Sequence, residues 1–383
     1  FKFNLWGIVM KKILVIALST FCLMFVSLTS QAEIVFHGFA SFIGGATLDS
    51  DETYLGYENK LEYDKDSLYA LQASSNMGDG LSVTGQLIAR GAENYKPEFE
   101  WMYMSYNLTS TLTAKVGRVR TAFYMFSEYL EVGYTFNWLV PPKELYAAQI
   151  TNLDGISFLY NMPIGAIDSQ YMLAIGNRRN YSEASDASLS DFTSIIQAYA
   201  QFESGPYTGK LIYAQGDLSA VTTTTAGAVT AFAAVDPAFT SKYVAIEDSQ
   251  LIFTGAALDM DFYPFKVLLE YSFLDFEDLV FIGDETRTLA AAAYTMGDNT
   301  FSYTWSSNVK ENDASLANKV AAPLQATVAG LIAGSEADVT THTLGVRHDF
   351  HDSASVKVEL ISTEETKLKT EATLLRFGVD MLF

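Results

Sequence analysis

Cysteine is almost absent from this sequence, and positive charge is scarce. The chain has one cysteine among its 383 residues, and 24 lysines and arginines against 45 aspartates and glutamates, a net charge of -21. A single cysteine excludes a disulfide framework and a cysteine-ligated metal site. The acidic balance argues against nucleic acid as a partner, because nucleic-acid binding needs a basic face that neutralises phosphates.

Long hydrophobic runs are also missing beyond residue 32. The longest uncharged stretch there is 218–235, which contains several serines and threonines, and 320–335 is shorter and is interrupted by Pro323. A membrane-spanning helix needs about 20 mostly apolar residues, so neither stretch predicts one. Yet 49% of the residues are hydrophobic and 14% are aromatic, which excludes a disordered acidic chain.

The first 32 residues have the layout of a secretory signal peptide. Residues 10–12, Met-Lys-Lys, precede an apolar stretch at 13–28, and small residues lead up to Ala32. We predict cleavage between Ala32 and Glu33, with an N-terminal membrane anchor as the alternative.

Export leaves residues 33–383, which we predict to form one domain. Residues 1–32 contain three lysines and no acidic residue, so the exported part carries a net charge of -24. The cysteine, Cys22, lies in the signal segment and lacks the preceding leucine of a lipidated cysteine. The exported chain therefore has no thiol chemistry.

Alternation of apolar and polar residues marks the exported chain. Residues 81–90 and 301–308 alternate throughout, and 356–361 alternate until Ile361 breaks the pattern. Such stretches of about ten residues, separated by turn residues, are typical of transmembrane β-barrels. A soluble β-sandwich alternates in the same way and is the alternative.

Three features favour the barrel. Short connections such as 77–80 and 204–206 alternate with long ones, and the 22 tyrosines and 26 phenylalanines suit aromatic girdles at two membrane interfaces. The chain also ends in apolar residues at every second position, which resemble the signal read by the barrel-insertion machinery. These residues are Phe377, Val379, Met381 and Phe383.

The alternating stretches predict an all-β fold, a transmembrane antiparallel barrel of about 16 strands. The strands are expected near 34–46, 67–76, 81–91, 99–108, 112–120, 154–162, 167–177, 192–204, 207–217, 250–261, 265–275, 287–297, 300–311, 339–350, 354–364 and 370–383. Barrels of this size enclose an aqueous lumen.

Three short motifs carry a resemblance to a known family. Residues 36–39 (Phe-His-Gly-Phe), 112–120 with its Gly-Arg pair, and 152–160 resemble the first, fifth and sixth strands of Gram-negative outer-membrane general diffusion porins. The third loop lacks the Pro-Glu-Phe-Gly-Gly run of the best-known members, which indicates a divergent branch. The resemblance implies an outer-membrane homotrimer that passes ions and small hydrophilic solutes, with the third loop folded into the lumen.

Residues 121–152 are too long for a plain connection and too aromatic to lie solvated outside, and loops of this size are usually functional. We expect the aromatic residues to pack on the barrel wall and the acidic ones to face the water path. The predicted constriction residues are Arg90, Arg118, Arg120, Glu128, Glu131 and Glu144, and the predicted lumen-wall residues are Lys115, Arg347, Lys357 and Arg376. Arg118 and Arg120 share the parity of outward residues, so they reach the lumen only if the strand bulges or ends there. For each of these charged residues, the alternative to a role in the constriction is an ordinary, solvated position on the barrel wall.

Acidic clusters occupy the predicted outside loops, around 49–52, 183–191 and 275–278. They are expected to form a solvated rim, or to bind divalent cations that bridge to lipopolysaccharide. Together with the net charge they predict a mild cation preference. Two loops, 219–249 rich in threonine and alanine and 313–339 rich in alanine, are expected to be plain surface loops. A short helix near 324–333 that packs over the pore is the alternative.

The four histidines carry no catalytic pattern. His348 and His351 belong to a predicted short turn, and His37 and His342 lack a serine or acid motif beside them. We therefore predict a channel, not an enzyme, without cofactor or metal. A substrate-selective channel, for example for sugars that stack on aromatic rings, and an adhesin or receptor with a blocked lumen are the alternatives.

Overall fold

The computed structural model describes residues 33–147, 150–181, 189–221 and 223–383. The predicted signal peptide and the acidic residues Glu183 and Asp186 lie outside the described residues. The strands are β1 Ile34–Thr47, β2 Leu68–Gly78, β3 Leu81–Arg90, β4 Pro97–Asn107, β5 Leu112–Arg120, β6 Asn152–Ile164, β7 Ile167–Tyr181, β8 Leu189–Ser204, β9 Tyr207–Val221, β10 Ile246–Phe262, β11 Phe265–Phe276, β12 Asp284–Met296, β13 Asn299–Glu311, β14 Ala337–His351, β15 Ala354–Glu365 and β16 Thr370–Leu382.

Each strand pairs antiparallel with its neighbours in sequence, and β1 pairs with β16, so the sheet is a closed barrel. The predicted all-β barrel of sixteen strands is confirmed. The connections that follow the even-numbered strands from β2 to β14 are two to four residues long. They lie at one end of the barrel, the short-turn rim, where β1 begins and β16 ends. The remaining connections lie at the opposite end, the long-loop rim. The predicted asymmetry of the two rims is thus present in the structure.

The two faces of each strand differ as the alternation predicts. In β15, Val356 and Val358 are exposed on the outer face, whereas Lys357 and Glu359 on the inner face are each only 1% exposed. A barrel wall in lipid needs this apolar outer face, because polar groups there have no water partner. Ile361, which breaks the alternation, faces inward and is buried against Tyr57. Tyr57 belongs to residues 48–67, which connect β1 to β2 and are here called the first long connection.

Aromatic side chains pair on the outer face of the barrel, beside short turns and at the seam between β1 and β16. Tyr69 stacks on Phe383 with ring centroids 5.5 Å apart, and Phe265 packs against Tyr294 at 5.1 Å. Tyr207 meets Phe262 edge-on at 5.2 Å. These pairs form the kind of girdle that sits at a membrane interface.

Among the described residues, five α-helices lie in the connections: α1 Lys143–Tyr146, α2 Thr223–Ala233, α3 Pro237–Phe239, α4 Leu316–Lys319 and α5 Gln325–Ser335. In the part of the chain that the structure describes, no helix is long and apolar enough to cross a membrane.

The expectation of plain surface loops at 219–249 and 313–339 was wrong. Their helices share a small hydrophobic core, here called the outer cluster, which also takes residues from the connection between β11 and β12. Its buried members are Phe232, Phe239, Val244, Val280, Leu316, Val320, Val328 and Ile332. The alternative of a short helix near 324–333 corresponds to α5. The loops fold because they have apolar side chains to bury against one another.

Candidate channel constriction

The connection between β5 and β6, residues 121–151, is here called the third loop. Its aromatic residues form one packed group, with Phe126 at 5.4 Å from Phe136 and stacked parallel to Tyr146 at 6.2 Å between ring centroids. Tyr124 meets the inner-face residue Phe253 of β10 edge-on at 5.7 Å. Most of these rings are buried in a cluster with inward side chains of β5 to β12. Such ring pairs contribute about 0.5–1.5 kcal/mol each beyond the burial of their area.

Polar side chains of the wall bind the same aromatic part of the loop. Glu270 of β11 accepts hydrogen bonds from the Met125 amide at 2.7 Å and from the Tyr146 hydroxyl at 2.6 Å. Arg287 of β12 donates to the carbonyls of Leu145 at 3.2 Å and Ala147 at 2.7 Å. Buried backbone groups need such partners, because an unpaired one costs about as much as a lost hydrogen bond.

The middle of the loop is held by strands on another side of the barrel. Lys357 of β15 donates to the carbonyls of Gly133 and Trp138 at 2.7 and 2.8 Å. Arg347 of β14 donates to those of Tyr134 and Phe136 at 2.6 and 2.7 Å. Both residues were predicted to line the lumen wall, and both lie on the inner face. Their cationic groups bind loop carbonyls instead of facing open water.

Glu144 is the clearest departure from the predicted constriction. It is buried beneath the first long connection, where it accepts hydrogen bonds from the hydroxyls of Tyr54 at 2.5 Å, Ser306 at 3.0 Å and Thr341 at 2.8 Å. Burial, and then the Glu144 charge, raise the pKa of the Tyr54 phenol well above its ordinary value, so the phenol keeps its proton and donates. Glu144 anchors the loop and does not face a water path.

Five charged side chains meet where β3, β4 and β5 reach the long-loop rim, and this group is here called the charge cluster. Its members are Arg90, Glu98, Glu100, Arg120 and Glu131. Glu100 accepts from Arg90 at 2.6 Å and from Arg120 at 2.5 Å. Glu131 of the third loop lies 3.3 Å from Arg90 and 2.8 Å from Arg120. The loop acid thus bridges the two arginines of the wall.

Local backbone geometry brings these residues inward. A bulge in β4 lets Gln86 of β3 pair with Trp101 and Leu87 pair with Phe99, so Glu100 and Trp101 are both buried. Arg120 is the last residue of β5, and its Nε donates to the Ser127 carbonyl at 2.7 Å. Arg120 was expected to reach the lumen only if the strand bulges or ends there, and β5 does end at this residue.

Arg118 was predicted at the constriction, and this prediction was wrong. It lies on the outer face beside the exposed residue Val116, and it pairs with Asp154 of β6 at 2.9 Å. The neighbouring Val119 is buried inside, so β5 keeps its regular alternation at this position. Strand parity, without a bulge or strand end, decides the direction of Arg118.

The remaining predicted charges take separate positions. Glu128 is exposed and accepts from the Tyr199 hydroxyl of β8 at 3.2 Å, away from the charge cluster. Lys115 lies 5.0 Å from the ring centre of Tyr103. Arg376 is 3% exposed and binds Asp66 and Glu359. Of the six predicted constriction residues, the structure brings together Arg90, Arg120 and Glu131.

The four residues proposed as an assembly signal share the outer face of β16. Phe377, Met381 and Phe383 are exposed there, and Val379 pairs with Phe42 of β1. Phe383 also forms backbone hydrogen bonds with Gly38 at 2.6 and 2.9 Å. Their recognition by other proteins stays a prediction.

Sequence reasoning missed five charged residues that hold the third loop: Glu100, Lys210, Glu270, Arg287 and Glu359. Lys210 donates to the carbonyls of Tyr124 at 3.3 Å and Met125 at 3.4 Å. Arg287 shares its strand face with the acidic residue Glu285, two positions earlier, and this pattern could have identified it as an inward residue. Glu100 could not be found in this way, because the bulge that turns it inward has no mark in the residue pattern.

The histidines have local partners. His342 Nδ1 lies 2.8 Å from the Tyr303 hydroxyl, and His348 and His351 bond to Asn299 and Ser353 near the short-turn rim. Within the described ranges there is no group of three or more histidine, cysteine or acidic residues placed to hold a metal ion.

Comparison with solved structures identifies the fold. OmpF from Salmonella typhi, in complex with daunomycin, aligns with a TM-score of 0.60 at 10% identity, over 92% of this chain and 98% of that chain. A loop-deletion mutant of OmpT, an outer membrane protein of Vibrio cholerae, aligns with a TM-score of 0.59 at 13% identity, over 92% and 99%. The anion-selective porin from Comamonas acidovorans aligns with a TM-score of 0.54 at 12% identity, over 92% and 100%.

No protein-family model matches the chain, and no curated protein matches it in sequence. The likeness therefore concerns the fold. The chain folds as a barrel of the kind found in outer-membrane porins.

Proposed function

We propose that this protein is an outer-membrane channel for the passive diffusion of ions and small hydrophilic solutes. The observation that carries the proposal is the barrel itself, closed, apolar outside and lined with charged side chains inside. The predicted signal peptide at 1–32 provides export, and residues 33–383 form the exported barrel domain. Lipid and lipopolysaccharide surround the barrel, and the insertion machinery recognises its last strand. Neither an enzymatic activity nor a nucleic-acid partner belongs to this function.

We further infer that the third loop lies inside the barrel. Its hydrogen bonds and ring contacts reach β3, β5 and all strands from β8 to β15. Gly133 also packs against β1 and β16. A segment that binds the inner faces of strands on opposite sides of a closed barrel is surrounded by them. The loop therefore narrows the path, and the charge cluster lies beside the narrowed part.

The charge cluster supports a mild cation preference. Its two arginines are bound directly to three carboxylates, so the positive field of the arginines is cancelled and one negative charge remains. Rings of side-chain charge set the selectivity of a pore. Passing cations would meet this negative charge, together with the exposed carboxylate of Glu128.

The test is the reversal potential in a planar bilayer under a salt gradient. Wild-type channels are expected to favour K⁺ over Cl⁻. Glu131→Gln leaves Arg90 and Arg120 less neutralised and is expected to lower that preference a few-fold. Asp51→Asn, which removes an exposed acid of the first long connection, is the matched control. An anion-selective wild type would reject the preference, and a purified, folded barrel without conductance would reject the channel.

A second candidate, a substrate-selective channel, is favoured by a cavity of about 190 Å³ between the third loop and β11 to β13. Rings and polar groups both line it, among them Tyr129, Trp138, Asn137, Lys266 and Ser302. Apolar ring faces beside hydrogen-bonding groups suit a sugar. Saturable uptake of one sugar in liposome swelling would support this candidate, and uptake ordered by solute size alone would oppose it.

We propose a homotrimer as the assembly. The support is a solved OmpT structure of Vibrio cholerae described as a trimer form, which aligns with a TM-score of 0.55 at 13% identity over 92% of this chain and 99% of that chain. Native mass spectrometry in detergent would give three copies, and a stable monomer would reject the proposal.

A further inference from the structure

A groove on the outer face of β4 to β6 has no part in the proposed channel, and it is here called the outer groove. Its volume is about 570 Å³, and apolar side chains from all three strands line it. Each of them is between 43% and 54% exposed, namely Phe99, Met102, Val116 and Ile156. The outer groove can therefore receive an apolar projection from a partner.

Backbone geometry fixes the shape of the outer groove. Gly117 and Gly155 pair in register on its floor. Gly117 has φ +132°, and a β-carbon there would lie 2.4 Å from the Met102 carbonyl oxygen, so the close approach of β4 and β5 requires glycine. The bulge of β4 adjoins Phe99 at the edge of the groove. The groove is thus a feature of the fold and not a gap between mobile side chains.

The outer groove also contains a fixed pair of opposite charges. Arg118 donates to the two carboxylate oxygens of Asp154 at 2.9 and 3.3 Å, and to the Phe99 carbonyl at 3.3 Å. Lipid tails offer no polar group to such a pair, whereas a protein surface with charges of its own can bond to it. The partner that fits therefore presents apolar side chains together with one cation and one anion.

The same barrel carries a projection with these properties, here called the ring ridge. Tyr63 of the first long connection lies on the outer face of β1 and β16, where its ring stacks on Phe42 at 5.3 Å and meets Phe377 edge-on at 6.3 Å between centroids. Phe42 is 57% exposed and Tyr63 is 41% exposed. Close to Tyr63 in the chain, Lys65 and Glu62 form an ion pair at 3.7 Å. The ring ridge thus combines exposed rings with charges of both signs.

We propose that two copies of this chain meet by these surfaces, with the ring ridge of one subunit in the outer groove of the next. The ridge on β1 and β16 and the groove on β4 to β6 lie on the same side of the barrel, as a closed ring of three subunits requires. Glu62 of one subunit then bonds to Arg118 of the next, and Lys65 to Asp154. The inference rests on the proposed homotrimer and goes beyond it by naming the surfaces that meet.

The test is a disulfide between Tyr63→Cys and Met102→Cys. Residues 33–383 contain no other cysteine. Within one subunit β1 and β4 are three strand spacings of about 4.8 Å apart, beyond the reach of a disulfide, so a crosslink joins two subunits. Oxidation is expected to raise the amount of covalent dimer and trimer in a denaturing gel at least about tenfold, and dithiothreitol is expected to reverse it. Tyr63→Cys with Leu258→Cys is the matched control, since Leu258 is exposed on β10, on the far side of the barrel.

A second variant tests the contact without any cysteine. Arg118→Leu leaves Asp154 unpaired, which is costly in a contact that excludes water, so the ratio of monomer to trimer in native mass spectrometry is expected to rise several-fold. Arg179→Leu is the matched control, because Arg179 pairs with Asp191 of β8 with the same 2.9 Å between Nε and Oδ1, outside the outer groove.

The outcomes separate the contact from the trimer and from the channel. A trimeric wild type whose oxidised double variant gives no covalent dimer, or a control pair that crosslinks equally well, would overturn these surfaces. A lipid that stays bound to a monomeric wild type and is lost from Arg118→Leu would assign the outer groove to lipid instead. A monomer without bound lipid would reject the homotrimer and the contact with it. A crosslinked trimer that does not conduct would support the contact and reject only the channel function.

Discussion

Buried charged residues of the inner wall form an ion pair that also binds the third loop. Lys357 and Asp380 lie 2.7 Å apart, and both side chains are fully buried. Asp380 also accepts from the Ser41 hydroxyl at 2.5 Å, and Lys357 donates to loop carbonyls. A buried ion is tolerated only when a partner charge and hydrogen bonds compensate its desolvation. These residues therefore have to keep their partners for the barrel interior to be stable.

Replacing Lys357 with methionine is expected to destabilise the barrel by about 3–5 kcal/mol, the cost of leaving one member of a buried ion pair without its partner. The Asp380 carboxylate would lose its cation, and two loop carbonyls would lose their donor. Urea unfolding of the barrel in detergent micelles, followed by tryptophan fluorescence, measures the change.

A double variant provides the control for this pair. In Lys357→Met with Asp380→Leu no charge remains unpaired, so part of the lost stability is expected to return. If the double variant were less stable by the full sum of the two single changes, the two residues would be independent, and the ion pair would contribute nothing.

Strand parity predicted which way most charged residues point but not what covers them. Lys357, Arg347 and Arg376 lie on the inner face, as their alternation with apolar neighbours indicates. Their partners come from the third loop and from Asp66, which are distant in sequence. The alternation of residues along a strand determines which face of the sheet a side chain occupies. It does not indicate which distant segment of the chain packs on that face.

At the scale of whole elements, strands were easier to predict than helices. Each of the sixteen strands lies close to its predicted position, because a strand between lipid and lumen must alternate. The helix α5 has the sequence Gln-Ala-Thr-Val-Ala-Gly-Leu-Ile-Ala-Gly-Ser, in which small residues separate the few large ones. Its buried side chains, Val328 and Ile332, belong to the outer cluster, whose other buried members all lie outside the helix, so the helix depends on tertiary contacts.

The outer cluster is expected to unfold separately from the barrel. Val328→Asp places a charge in a fully buried position of the cluster, which costs several kcal/mol when no partner is present. The loops at 223–244 and 312–336 are expected to become sensitive to limited proteolysis, while the barrel keeps its heat-modifiable mobility in gel electrophoresis. Digestion of native protein in micelles, mapped by mass spectrometry, measures this.

Ala326→Asp on the exposed side of the same helix is the matched control. It carries the same charge into the same loop without entering the cluster. Equal proteolysis of the two variants would mean that the charge alone, and not the packing of Val328, governs the loops.

At the scale of the molecule, much apolar surface lies inside the barrel as well as outside. A sixteen-stranded barrel has room for a water-filled lumen, yet the buried cluster of the third loop fills the inner face from β5 to β12. The alternation along the strands accounts only for the apolar outer face against lipid. Inward residues such as Ile212, Phe253 and Leu268 gain their partners only when the loop folds in, so the residue pattern alone could not predict them.

Closure of the barrel depends on the seam between β1 and β16. Gly38 exchanges backbone hydrogen bonds with Phe383 at 2.6 and 2.9 Å, and a β-carbon on Gly38 would lie 2.1 Å from the Phe383 ring. That ring also stacks on Tyr69 of β2. The glycine leaves room for the terminal ring to cover the seam on the outer face.

Gly38→Val is therefore expected to displace Phe383 from the seam and to lower the folded yield several-fold when the barrel is refolded in detergent micelles. The fraction of protein with heat-modifiable mobility measures that yield. Gly209→Val in β9 is the matched control, because a β-carbon there meets no atom within 4 Å, and β-branched residues suit strands. An equal loss of yield in both variants would mean that a valine in any outer-face glycine position disturbs folding, and the seam would then have no special role in closing the barrel.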